Sequence, residues 1–157
     1  MKIESAIEIN NPPSEVYEFI TEDENLSLWV NNFKKIERLT GKNGEIGSTS
    51  IYFFNENGRA VEMTETTVNA VENKEIALIL QHEQTDLSVI YRIEPNNEDG
   101  ESCKISSFIE YKPNSVFFKF FLSFNKKKLI LRYQEDLEQL KNAIEHLSES
   151  EFEMDDE

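Results

Sequence analysis

The sequence predicts an α+β fold, in which a curved antiparallel sheet of seven strands is crossed by one long C-terminal helix. Three observations predict it. Residues 115–147 run without Gly or Pro, and their second half places Ile130, Tyr133, Leu137, Leu140, Ile144 and Leu147 at steps of three and four, the spacing of one buried helical face. Residues 33–112 instead form short β-rich segments, and all five Gly, together with Pro95, fall between them. The connections are too short for crossover helices, so neighbouring strands run antiparallel.

Residues 1–10 alternate Ile3, Ser5, Ile7 and Ile9 against Lys2, Glu4, Ala6 and Glu8, the period of a half-buried strand. Asn11-Pro12-Pro13-Ser14 stops it and opens a helix, because Pro fits a first turn and Val16, Phe19 and Ile20 follow at helical spacing. A second short helix is expected near 25–29, after the acidic turn 21–24. Strands follow at 33–39, 49–55, 60–70, 75–84, 87–94 and 103–112, with Asn57-Gly58 a hairpin turn. Pro113 and Asn114 then introduce the last helix, with Ser115 as its N-cap. At about 1.5 Å per residue that helix would be roughly 45 Å long, enough to cross a small domain.

With 157 residues the chain forms one domain, expected over 1–147, and an acidic, disordered tail over 148–157. Lys plus Arg number 16 against 31 Asp plus Glu, a net charge of −15, so nucleic acid is not an expected partner. The lone Cys103 has no internal disulfide partner, and residues 1–8 lack the basic and then apolar start of a secretory signal, so a cytoplasmic location is expected. His82 and His146 are the only histidines and neither sits in a ligand cluster. No metal and no cofactor are therefore expected, and Gly-rich phosphate loops and nucleophile elbows are absent.

The order strand, two short helices, six strands and long helix, with Ile9-Asn10-Asn11-Pro12-Pro13-Ser14-Glu15-Val16-Tyr17-Glu18-Phe19-Ile20, Asn43-Gly44-Glu45-Ile46-Gly47-Ser48 and the closing Leu137-Glu138-Gln139-Leu140-Lys141, resembles the START-like superfamily of polyketide cyclase and dehydrase type. The resemblance spans about residues 1–147 and implies a helix-grip fold, as in the birch pollen allergen. It also implies a cavity between sheet and long helix for lipids, sterols, polyketides or other apolar molecules. It supplies no fixed catalytic motif, so no active-site residue carries over.

Strand parity places Glu65 and His82 on otherwise apolar inward faces. If Glu72-Asn73 makes a two-residue turn, Glu65 opposes Leu80 and His82 lies one diagonal step away. The two could form an acid/base pair, or a structural hydrogen bond. Trp29, Met63, Leu80, Tyr91, Ile109 and Tyr111 are candidate cavity-lining residues, or plain core. In a helix-grip fold Phe117, Phe120, Phe121 and Phe124 would share one face looking across the sheet concavity, as wall and gate.

The leading expectation is binding or carriage of a small hydrophobic ligand, such as a lipid, fatty acid, quinone or polyketide-like molecule. The alternatives are a cyclase or dehydratase using acid/base groups in the cavity, and a protein-interaction module of the chaperone-activator type. The Phe-rich segment followed by Lys126-Lys127-Lys128 also permits weak peripheral contact with a membrane. The opposing reading makes its rings core and cavity wall.

Overall fold

A computed structural model describes the backbone of residues 1–155 and the side chains of residues 1–151. Seven strands, β1 (Lys2–Ile9), β2 (Phe33–Thr40), β3 (Thr49–Glu56), β4 (Arg59–Val71), β5 (Glu75–Gln81), β6 (Thr85–Pro95) and β7 (Cys103–Pro113), form one sheet in the order β1-β7-β6-β5-β4-β3-β2. Every pairing is antiparallel. The first strand lies beside the last, Ile3 opposite Ile109, so β1 and β2 form the two edges. The helices α1 (Pro13–Thr21) and α2 (Leu26–Trp29), with a 3₁₀ turn at Asp23–Asn25, link those edges. This is the expected helix-grip arrangement.

Local chemistry accounts for the turns. Pro13 occupies the first turn of α1, where a missing N–H costs nothing, and Val16, Phe19 and Ile20 are buried from it. Asn57 and Gly58 take φ of 52° and 82°, the left-handed pair that a two-residue hairpin needs. The β4–β5 turn differs from expectation. Val71 pairs with Glu75 across three residues, with Asn73 left-handed at φ 61°, and a bulge between Thr67 and Asn69 removes the offset. Glu65 thus still opposes Leu80.

The single long helix is two. Ser115 Oγ accepts from Phe118 N at 3.1 Å and caps α3 (Val116–Phe124). Asn125 then leaves helical geometry at φ −103°, ψ 12°. Its backbone N–H and its Nδ2 both donate to the Phe121 carbonyl, at 3.1 and 2.8 Å, and its own carbonyl accepts from Leu129 N. The side chain thereby ends one helix and the backbone starts the next.

Helix α4 (Lys126–Asp155) packs on β1 and α2. Leu137, Leu140 and Ile144 form its buried stripe, whereas Ile130 and Leu147, expected on the same face, are 41% and 45% exposed. The acidic stretch expected to be disordered from residue 148 continues α4 to Asp155; Asp156 and Glu157 lie outside the described residues. The approach to it is tied down, because Lys141 Nζ donates to the Glu8 carbonyl at 2.8 Å, Asn10 N donates to Glu145 at 3.2 Å, and Asn11 Nδ2 donates to Ser148 Oγ. No described helix is long and apolar enough to cross a membrane.

Candidate functional site

The sheet, α2, α3 and the front of α4 enclose an open cavity of about 850 Å³, within the range of small-molecule sites. Alternation along the strands builds its floor, since Leu78 and Leu80 of β5, Leu87, Val89 and Tyr91 of β6, and Ile109 and Tyr111 of β7 project to one side. Trp29, at the end of α2, closes one end and meets Tyr91 edge to face at 5.4 Å. Met63 joins from β4.

Helix α3 contributes only one side of its cylinder. Phe117, Phe118, Phe121 and Leu122 line the cavity. Phe120 and Phe124, expected beside them, are 71% and 93% exposed and do not line it. At about 100° per residue, 117, 121, 118 and 122 span one arc of the helix, while 124, 120 and 116 continue round beyond Phe117, away from the cavity. Shared steps of three and four do not alone say which arc faces the sheet.

The expected Glu65–His82 pair is not assembled. Glu65 is wholly buried, but it accepts from Ser50 Oγ and Thr67 Oγ1, both at 2.8 Å, with Arg38 Nη1 3.6 Å away, and it is not part of the cavity wall. His82 sits at the cavity rim, where its Nδ1 accepts from Gln84 N at 3.2 Å. Among the described residues no hydrogen bond or ion pair joins the two. The register is the expected one, yet Glu65 is satisfied by hydroxyls on its own side of the sheet, while β5 ends at Gln81 and leaves His82 in the turn. Cys103 is buried, and burial pushes its thiol up to about 11, so it offers no thiolate. No cluster that could hold a metal ion occurs among the described residues.

The polar chemistry of the cavity comes instead from α4, through residues that sequence reasoning misses. Arg132, Tyr133 and Asp136 all line it. Arg132 Nη2 pairs with Glu56 at 2.7 Å and donates to the Asn31 carbonyl at 3.1 Å. Asp136 is 3% exposed and accepts from Asn31 N at 2.9 Å. Burial pushes its carboxyl up to about 7, against the opposing effects of the Asn31 hydrogen bond and the Arg132 charge. The Tyr133 hydroxyl hydrogen-bonds that of Tyr111, and burial raises both phenols. Trp29 Nε1 is buried with no hydrogen-bond partner among the described residues. Tyr133 and Asp136 of α4, with Trp29 of α2 and Tyr111 of β7, thus bring phenols, an indole N–H and a carboxyl poised near neutrality to a cavity whose floor is otherwise largely apolar. A signal exists in the sequence, because Leu129, Arg132 and Asp136 lie at helical spacing one step round from the stripe 133, 137, 140 and 144.

The sequence matches the polyketide cyclase / dehydrase and lipid transport family over residues 1–145. No curated protein matches the chain. Several solved structures share its fold. A protein from Thermus thermophilus superposes with a TM-score of 0.76 at 15% identity, covering 94% of this chain and 99% of its own. A START superfamily protein from Mycobacterium smegmatis has a TM-score of 0.70 at 14% identity, covering 93% and 98%. The di-domain ARO/CYC BexL of the BE-7585A biosynthetic pathway has a TM-score of 0.63 at 13% identity, covering 88% of this chain and 46% of its own. At these identities the likeness is one of fold alone. The match over residues 1–145 decides membership: the chain belongs to the polyketide cyclase / dehydrase and lipid transport family.

Proposed function

We propose that this protein binds and carries a small apolar molecule with an uncharged oxygen group at one end, of the quinone or polyketide-like kind. The carrying observation is the cavity of about 850 Å³ with a largely apolar floor and a polar cluster of Trp29, Tyr111, Tyr133 and Asp136. An apolar body removed from water there gains about 25 cal/mol per Å². The polar cluster favours a carbonyl or hydroxyl over a carboxylate. The cavity's buried cation, Arg132, is already neutralised by Glu56, and the unpaired Arg59 and Lys128 stand at the exposed rim, whereas Trp29 Nε1 is a buried donor without a partner among the described residues. An Asp136 carboxyl held near pH 7 adds a second donor in its protonated form. The buried thiol Cys103, without a disulfide partner, suits a reducing cytoplasm.

Native mass spectrometry of protein purified from cells, with dye displacement by a quinone and by a fatty acid of matched length, tests the proposal. The quinone is expected to displace at lower concentration. A protein that binds no apolar dye would overturn it.

One observation favours a second reading, acid/base catalysis on a polyketide-like substrate. Asp136 combines near-neutral protonation with a place on the cavity wall beside Tyr133, the combination a general acid needs. Under that reading Asp136→Asn keeps dye affinity and abolishes turnover of a poly-β-ketone mimic. Under the carrier reading neither protein turns it over.

A further inference from the structure

Beyond ligand binding, we propose that the outer face of α3, together with the start of α4, docks the protein on an anionic lipid bilayer and presents the cavity mouth to it. Val116, Phe117, Phe120, Phe121 and Phe124 are 71%, 82%, 71%, 51% and 93% exposed. They lie on one arc of a nine-residue helix, so the patch is contiguous, and no described segment of the chain covers it. A soluble surface rarely leaves four neighbouring phenylalanines in water unless something else covers them.

Charge identifies the cover. Between Glu110 and Glu135 the chain carries Lys112, Lys119, Lys126, Lys127, Lys128 and Arg132 and no acid, in a protein of net charge −15. Lys119, Lys126, Lys127 and Lys128 are exposed, and none forms an ion pair among the described residues. Rings on one face with ammonium groups beside them match the acyl boundary and anionic headgroups of a bilayer surface.

The densest run of acids is remote from the patch. Helix α4 runs on for 30 residues, so Glu149 and Glu151 lie about 30 Å or more along its axis from Lys127. That is several times the Debye length of about 8 Å at physiological salt. Residues 1–147 still carry 25 acids against 16 bases, so docking rests on the local run of unpaired lysines on α3 and the start of α4 and not on net charge.

The cavity gives docking a purpose. Phe117 and Phe121 are exposed and also line the cavity, and exposed Lys128 sits on its rim. A bilayer seated on α3 would therefore meet the opening, and an apolar ligand could pass between the two without crossing water. This purpose rests on the carrier reading; the docking itself rests on the exposed face and its charge.

Flotation of the full chain with phosphatidylcholine vesicles, with and without about 30% phosphatidylserine, tests the proposal. The protein is expected to float with the anionic vesicles and to be released by salt. Phe120→Glu with Phe124→Glu, two sites outside the cavity wall, should weaken flotation about tenfold or more. Lys126→Gln with Lys127→Gln should weaken it about 25-fold, fivefold for each lysine charge removed from an anionic surface. Both variants should keep wild-type thermal melts and dye affinity in the cavity. Failure of the wild-type chain to float, or flotation of both variants like wild type, would overturn docking. So would self-association in sedimentation velocity that Phe120→Glu with Phe124→Glu abolishes while vesicles remain unbound, since the patch would then join two copies. Loss of dye binding with flotation intact would overturn the carrier reading and leave docking standing.

Discussion

Helices α3 and α4 are joined at Asn125 and make opposite use of apolar side chains. In α3 every residue except Lys119 and Ser123 is apolar, yet only Leu122 is buried. In α4 the composition is mostly polar and charged, yet Leu137 and Leu140 are wholly buried and Ile144 nearly so. Apolar content and burial are therefore separate properties. A periodic stripe with polar flanks specifies a packed face. An unbroken apolar run specifies only that some surface, protein, ligand or lipid, has to meet it.

The largest effect that should separate the halves is on stability. Leu137→Ala deletes a fully buried side chain between α4 and its neighbours and should cost about 2–5 kcal/mol. Urea melts at constant m-value measure it; a loss below about 1 kcal/mol would mean that α4 is as loosely held as α3.

The next effect belongs to the polar wall of α4. The Asp136 carboxyl is held up to about 7 in the folded protein against an ordinary 3.8. Between those values the native state binds the extra proton, so this group's contribution to stability is greatest below pH 4. It falls as pH rises towards 7 and then levels off. Asp136→Asn should remove that slope and stabilise the protein at pH 8 by about 2–4 kcal/mol. The amide oxygen can still accept from Asn31 N. Chemical denaturation of both proteins at pH 5 and pH 8 checks the sign.

What is legible in the sequence follows the same division. Strand alternation and the left-handed pair Asn57-Gly58 are local signals, and the sheet order and most strand bounds follow from them. The Glu65–Leu80 register follows from a two-residue turn that does not exist; the three-residue turn and the bulge beyond Thr67 cancel. Local turn chemistry cannot reveal such compensation, because the bulge is imposed by the sheet. The break at Asn125 is hidden because Asn is tolerated inside a helix, and its side chain acts as a stop only when it reaches the Phe121 carbonyl. Phe120 and Phe124 are lost from the cavity because they lie beyond Phe117 on the arc of α3. Asp136 escapes notice because Arg132 and Asp136, four apart, read as an exposed pair. Their position beside the buried stripe carries the better signal.

A smaller effect tests how independently α3 forms. Ser115 supplies its side-chain N-cap, and Ser115→Ala should cost about 1 kcal/mol. With so little of α3 buried, the loss should appear as local opening. Amide exchange should quicken across residues 118–124 and stay unchanged at Leu137 and Leu140. Uniform acceleration over both helices would show that they unfold as one unit.

The smallest stability change and the largest functional one should coincide at Phe121. Its ring stacks on Phe118 at 5.3 Å and lines the cavity, yet it is 51% exposed. Truncating a buried Phe costs about 3–5 kcal/mol, because packed neighbours are left facing a void. Here the void already exists, and half of the ring is in water in the free protein. Phe121→Ala should therefore cost less than about 1 kcal/mol, well below Leu137→Ala. In the ligand-bound protein the same ring would meet an apolar guest, so the variant should bind an apolar dye several-fold more weakly, at about 0.8 kcal/mol for each buried methylene equivalent lost. Paired urea melts and dye titrations of the two variants decide it. A Phe121→Ala protein that is the more destabilised of the two, with dye affinity unchanged, would make α3 solid core and remove the distinction between the helices.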